Sequence, residues 1–160
     1  MTKKNISEIN EDNKILNKIQ HYCAYQERCV YEVKLKLLEY NLTQNKINDI
    51  IKLLKNDNFI NEERFALAYV QGKFRIKKWG KNKIIAGLKQ KKISDTIIQN
   101  IIKNIDDDEY IKTLKHLINN RIKDKKDLHD KIFLNKTINY LRTKGYEYHL
   151  IIDNIYNFGE

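Results

Sequence analysis

Apolar residues recur with a period near 3.6 from about Lys14 to Phe158, and no segment sustains the apolar/polar alternation of a half-buried strand. Nine helices are expected. Proline is absent and glycine occurs only five times, which removes the residues that close hairpins in sandwiches and barrels. The fold class that follows is all-α.

The helices fall into a repeat. Leu37, Leu88 and Leu141 are each followed five residues later by an apolar residue, Leu42, Ile93 and Tyr146, and the offsets between the units are 51 and then 53 residues. Beyond those anchors come Ile47, Ile98 and Ile151, then Ile51, Ile102 and Ile155, one face of a third helix in each unit. Residues 61–76 and 107–122, marked by Phe65, Leu67, Ala68 and Tyr69 and by Ile111, Leu114, Leu117 and Ile118, each open a unit. The expected organisation is a polar N-terminal tail, 1–13, then helical repeats 14–58, 59–105 and 106–160, the last carrying a charged, mobile loop at 123–130. Three-helix units of this size cannot each bury an adequate core, so three tandem three-helix repeats are expected to stack into an elongated, curved solenoid-like body.

Start and stop signals agree with these boundaries. Thr43 and Ser94 stand where N-caps belong, Asn61 precedes Glu62 and Glu63, and the acidic run Asp106, Asp107, Asp108, Glu109 opens the third unit at a positive dipole end. Gly145 suits a left-handed helix stop.

The formal charge of +10 implies a partner carrying negative charge, and phosphate-bearing polymers satisfy that condition through Coulomb attraction and counterion release. Membranes and acidic proteins satisfy it too, but no window approaches the roughly 18–20 apolar residues of a bilayer span and the N-terminus lacks a signal-peptide core. A cytoplasmic location without membrane contact is expected. Cys23 and Cys29, six apart, are read as reduced structural thiols.

Charge concentrates between residues 73 and 92. Lys73, Arg75, Lys77, Lys78, Lys81, Lys83, Lys89, Lys91 and Lys92 occur there with no acidic residue, so nine of the ten net charges lie in one segment. A solvated helix face inflated by codon bias would explain lysines but not the gap in carboxylates, so a phosphate- or acid-binding patch is expected. Trp79, the sole tryptophan, lies inside this run. It either stacks on an unpaired base or packs against the preceding helix and fixes its angle, with Gly80 making the turn. The four histidines are scattered, no metal-type pair stands at helical spacing, and the acidic run at 106–109 has a sufficient reason to exist as a helix start. No catalytic residue, metal or cofactor is expected.

Two stretches resemble the RecX family of RecA regulators. Arg28-Cys29-Val30-Tyr31-Glu32-Val33-Lys34-Leu35-Lys36-Leu37 is similar to the family's Arg-Ser, Glu-Leu and Lys-Leu at the same offsets, with Cys29 in place of serine. Phe59-Ile60-Asn61-Glu62-Glu63-Arg64-Phe65-Ala66 resembles its Arg-Phe-Ala signature, which continues through Trp79-Gly80, Lys83-Ile84, Leu88 and Lys92-Ile93; Asn58 and Lys92 stand where glycine is common. Tyr140-Leu141-Arg142-Thr143-Lys144-Gly145-Tyr146 resembles the Leu-x-x-x-Gly-Phe end, and the likeness covers about residues 15–158.

The resemblance implies a non-enzymatic protein that binds RecA recombinase filaments on DNA, restrains their ATPase and strand exchange, and so affects DNA repair and recombination. The expected partners are the filament and single-stranded DNA, contacted directly or through RecA, with a monomer as the expected state. Arg28, Glu32, Arg64, Phe65, Trp79 and Gly80 are expected to be structural, and the nine cations to carry binding. The alternative is a general nucleic-acid-binding helical repeat protein without a recombinase partner.

Overall fold

The positions that the repeat aligns are the ones the fold buries. Leu37, Leu88 and Leu141 are fully enclosed, as are Ile98 and Ile151, while Ile47, Ile51, Ile93, Ile102, Tyr146 and Ile155 are nearly so. Leu42 is partly buried. A computed structural model describes residues 3–157, and among them it shows nine α-helices and no strand. They are α1 (Lys3–Tyr25), α2 (Val30–Leu38), α3 (Gln44–Asn56), α4 (Glu62–Gln71), α5 (Lys81–Gln90), α6 (Asp95–Ile102), α7 (Asp107–Arg121), α8 (Lys131–Lys144) and α9 (Tyr148–Tyr156).

Each unit repeats one turn as well as one core. The residue four beyond the anchor leucine has left-handed backbone in all three units, with φ of 53° at Asn41, 61° at Lys92 and 97° at Gly145. Two residues later the third helix of each unit is capped or about to start: the Thr43 and Ser94 hydroxyls accept from Lys46 and Ile97 N–H, both at 3.4 Å, and Glu147 holds the same place without a side-chain cap. Only glycine takes left-handed backbone without a Cβ penalty. Asn58 (φ 58°) and Lys92 therefore adopt the conformation for which their glycine-rich counterparts are suited.

Two expectations change. Of the stretch expected to be a tail, residues 3–13 are helical, since α1 begins at Lys3 rather than near Lys14. Neither proline nor glycine interrupts the first 25 residues, and Asp12 is held by Lys46 of α3 at 2.8 Å. The loop at 123–130 contains a 3-10 turn, Lys125–Leu128. There the Asp127 carboxylate accepts from the Lys123 and Asp124 N–H groups, and Asp130 caps α8 through Ile132 and Phe133 N–H. Residues 1, 2 and 158–160, on which the ends of the expected tail and third repeat fall, lie outside the described residues.

The chain packs as two compact units, Met1–Ala68 with Lys91–Ile93 and Tyr69–Gln90 with Ser94–Glu160. The expected middle repeat is thus divided between them. The first unit is built on Ile19, Cys23, Val33, Leu37, Ile47, Ile51, Leu54 and Ile60. Both cysteines are buried free thiols, and burial pushes the Cys23 thiol up to about 11, so it stays protonated. In the second unit Phe74, Tyr110 and Tyr146 form a train of rings with centroids 5.8 and 5.1 Å apart, a spacing at which tilted aromatic pairs attract. Thr137 takes the buried place that Val33 and Ile84 hold in the other repeats, and its hydroxyl accepts from Arg121 Nε at 3.4 Å.

The second unit is clasped where the start of α5 meets the α8–α9 turn. Gly80 N–H donates to Lys144 O at 2.8 Å and Asn82 N–H to Gly145 O at 3.1 Å. A Cβ on Gly80 would overlap the backbone of Gly145 and Tyr146, and one on Gly145 would overlap Lys83. Gly80 is therefore required for the close approach of two backbones. The bend expected of it belongs instead to Lys78, whose φ is 55°.

Two stability measurements check this account. Gly80→Ala should cost about 1–3 kcal/mol by overpacking, lowering Tm by roughly 2–4 °C per kcal/mol at this size. Gly72→Ala, whose Cβ would meet nothing within 4 Å, should leave Tm unchanged or slightly raised in the same thermal scan. Cys29 sits at the N-cap of α2 with extended backbone, where its sulfur is a weak acceptor for the Glu32 and Tyr31 N–H groups, so Cys29→Ser should add about 0.5–1 kcal/mol in urea titration by supplying a stronger acceptor.

Candidate functional site

The cationic segment is shaped by a sequence of backbone events. α4 widens into a π-helical turn, Gly72–Ile76, closed by Lys77 N–H to Gly72 O at 3.3 Å. Trp79 N–H then reaches back to Lys73 O at 3.0 Å across the left-handed Lys78. The third repeat holds this turn from the other side: Lys144 Nζ donates to Lys77 O, Tyr146 O–H to Lys78 O, and Lys83 Nζ to Thr143 O. Widened turns and left-handed non-glycine residues cost energy and concentrate at functional sites. Here both fall within one run of cations.

The nine cations separate into three groups. Four are matched by carboxylates far away in sequence or in a neighbouring helix: Arg75 with Glu109 (3.9 Å), Lys81 with Asp107 (2.8 Å), Lys89 with Asp95 (3.1 Å) and Lys91 with Glu32 (2.5 Å). Lys73 and Lys83 place their ammonium groups 4.8 and 4.6 Å from the centroid of the Trp79 ring, with Lys73 also 5.2 Å from that of Tyr69. Lys77, Lys78 and Lys92 pair with no carboxylate among the described residues. Of the nine, Lys91 and Lys92 belong to the first compact unit and the rest to the second.

Trp79 is half-buried and packed beside lysine ammonium groups rather than standing open to solvent. The first repeat carries the same kind of packing with its partners exchanged, since Tyr22 and Arg28, each 51 residues earlier, bring a guanidinium 4.0 Å from a ring centroid. Cation–ring packing is thus a shared feature of the helix junction. In the second unit, however, the cations belong to the exposed run.

The family-motif residues of the first unit form a charge network. Arg64 Nε donates to Glu27 at 2.5 Å, while its terminal nitrogens donate to the side chain and carbonyl of the left-handed Asn58 at 3.1 and 3.0 Å. Arg28 pairs with Glu32 at 3.8 Å, and the same carboxylate takes Lys91. Phe65 is buried. Sequence flags Arg64 by its motif but cannot name Glu27, which lies 37 residues away. Asp107, Glu109 and Tyr110 likewise give no sequence signal as neighbours of the cationic run, because their places at a helix start have a sufficient local explanation.

Tyr110 is the hub of the second unit's site. Its hydroxyl accepts from Lys81 N–H at 2.9 Å and donates to Glu147 at 2.7 Å, and the Lys81 ammonium lies 4.7 Å from the centroid of its ring. Burial first, then the hydrogen bond to Glu147, raises its phenol well above the ordinary range, so it remains a donor. Among the described residues, no group of three or more His, Cys, Asp or Glu side chains could hold a metal ion, and no helix is long and apolar enough to cross a membrane.

Fold and site define a class: an all-helical repeat protein presenting a cationic, aromatic-backed turn. The family model for RecX, second three-helix domain, matches residues 61–101. The chain is 30% identical over 156 residues to regulatory protein RecX of Clostridioides difficile, covering 95% of this chain and 71% of that one. It is 28% identical over 145 residues to regulatory protein RecX of Lactobacillus johnsonii, covering 91% and 54%. The chain spans about half the length of the first curated relatives it matches. The crystal structure of RecX from Lactobacillus salivarius superposes with a TM-score of 0.79 at 26% identity, covering 93% of this chain and 97% of that one. The chain belongs to the RecX family, whose members are named for regulation rather than for a reaction.

The Arg64 network makes a stability prediction. Arg64→Lys keeps the charge but not the planar fork that serves Glu27 and Asn58 together, so it should lose about 1–2 kcal/mol in urea titration. Full stability in that variant would show the fork to be dispensable.

Proposed function

We propose that this protein is a non-enzymatic regulator that docks the cationic turn at residues 73–83 onto a RecA recombinase filament on DNA and lowers its ATPase and strand-exchange activity. Family membership supports the regulatory role. The single observation that carries the surface assignment is the clasped turn itself, in which Lys77 and Lys78 stand without carboxylate partners on backbone held at both sides by hydrogen bonds. A rigid turn presenting unpaired cations loses little side-chain and backbone freedom on meeting phosphates, and electrostatic attraction accelerates the encounter. A cytoplasmic, monomeric protein needing no cofactor fits this role.

Two titrations test the proposal. Added to RecA on single-stranded DNA, the protein should lower ATP hydrolysis at substoichiometric amounts, and no effect at equimolar protein would refute the regulatory reading. The double variant Lys77→Glu, Lys78→Glu should weaken filament binding at least tenfold at physiological salt, since a phosphate that meets no lysine keeps its condensed counterion and contributes nothing to affinity. Comparing naked with RecA-coated single-stranded DNA decides the partner: preference for the coated form supports a filament regulator, and equal binding supports a general nucleic-acid-binding module.

A further inference from the structure

The cationic run contains no acid of its own, yet two of its members are answered by one short acidic stretch. Asp107 reaches Lys81 and Glu109 reaches Arg75, both from the first turn of α7. The two ends of the closer pair are held very differently. Lys81 is 21% exposed, its ammonium is set over the Tyr110 ring, and its own N–H is tied to the Tyr110 hydroxyl. Asp107 is 87% exposed, and its carboxylate has no other partner among the described residues. The cation is anchored and the anion is free to leave. The second pair is looser, at 3.9 Å between two half-exposed side chains.

We propose that Asp107 and Glu109 are resident stand-ins for the phosphates of a single-stranded nucleic acid, occupying Lys81 and Arg75 until the strand displaces them. This rests on the reading of residues 73–83 as a phosphate-binding turn, and it assigns two further phosphate positions beside the unpaired Lys77 and Lys78. It also gives the turn a threshold: a ligand must compete with an intramolecular anion, so scattered weak anions do not saturate it. Hydrogen bonding from Lys81 holds the Asp107 carboxyl below the usual carboxylate range, so the competitor stays charged at neutral pH. Asp106 has a different task. It caps α7 by accepting from Glu109 N–H at 2.7 Å, and it is outside the exchange.

The test is a double-mutant cycle read by fluorescence anisotropy with a labelled oligothymidylate at low salt. Asp107→Asn and Glu109→Gln together should tighten binding by about fivefold, the scale expected for releasing two exposed pairs. Asp49→Asn with Asp153→Asn, which together remove the same two charges from exposed places on α3 and α9, controls for net charge and should change affinity less than twofold. In a Lys81→Gln background the gain from Asp107→Asn should vanish. The inference is overturned by unchanged affinity in the acidic double variant, by an equal gain from Asp49→Asn with Asp153→Asn, or by an Asp107→Asn gain that survives Lys81→Gln. Those outcomes leave the cationic turn standing, because the wild-type chain still binds. If the wild-type chain and every variant fail to bind the oligonucleotide, the displacement by nucleic-acid phosphates is overturned as well, while the filament reading is decided separately on RecA-coated DNA. Glu109→Gln alone, read against Arg75→Gln, repeats the cycle away from the first position of α7.

Discussion

The contact of Gly80 with Gly145 governs the site. Two backbones meet there without intervening side chains, joined by hydrogen bonds from Gly80 N–H and Asn82 N–H to the end of α8 and its turn. Everything that shapes the cationic turn hangs on this approach: Lys144, Tyr146 and Thr143 can reach the 77–83 segment only because no Cβ holds the chains apart. Backbone hydrogen bonds in a close-packed junction are expensive to leave unmade, so the turn is set by the third repeat as much as by its own residues. A surface that looks like one run of lysines is in physical terms a composite of two repeats.

Charge in this protein is organised by pairing more than by number. Nine cations in a stretch without acids suggest a uniform positive face, but Glu109, Asp107, Asp95 and Glu32 each take one of them. Exposed pairs contribute little to stability, so their consequence is to focus the unanswered charge. What remains unmatched by carboxylate is concentrated around Lys77 and Lys78, with the Lys73 and Lys83 ammonium groups resting beside Trp79. The first repeat reverses the pattern, placing a guanidinium on Tyr22 and holding the partly buried Glu27 and Glu32 in ion pairs. One architecture thus carries its cations in ion pairs in one repeat and leaves some of them without carboxylate partners in the next.

The proposed regulatory role fits this chemistry. A regulator needs a shaped surface with tunable affinity, and a helical repeat provides repeated junctions whose loops can differ while their cores stay alike. The RecX relatives share the repeat, and here the junction chemistry distinguishes its uses.

The sequence by itself determined the helices, the three repeats and the core positions that recur in each of them, because a 3.6-residue apolar period and a 51-to-53-residue recurrence can be read along the chain. Leu67 and Ala68, which the period placed on an apolar face, are exposed. Leu37, Leu88 and Leu141 could be aligned without coordinates, and so could the caps at Thr43 and Ser94. The start of α1 at Lys3 was not legible, since polar residues lack the periodic signal and the Asp12–Lys46 tie spans 34 positions. Only the tertiary structure decided which residues meet at the candidate site. Gly80 looks like a bend but is a point of backbone contact, Lys78 carries the left-handed turn, and Asp107 looks like a helix start but also answers Lys81. Hydrogen bonds and ion pairs act over a few ångströms in space, and separation along the chain does not encode that distance.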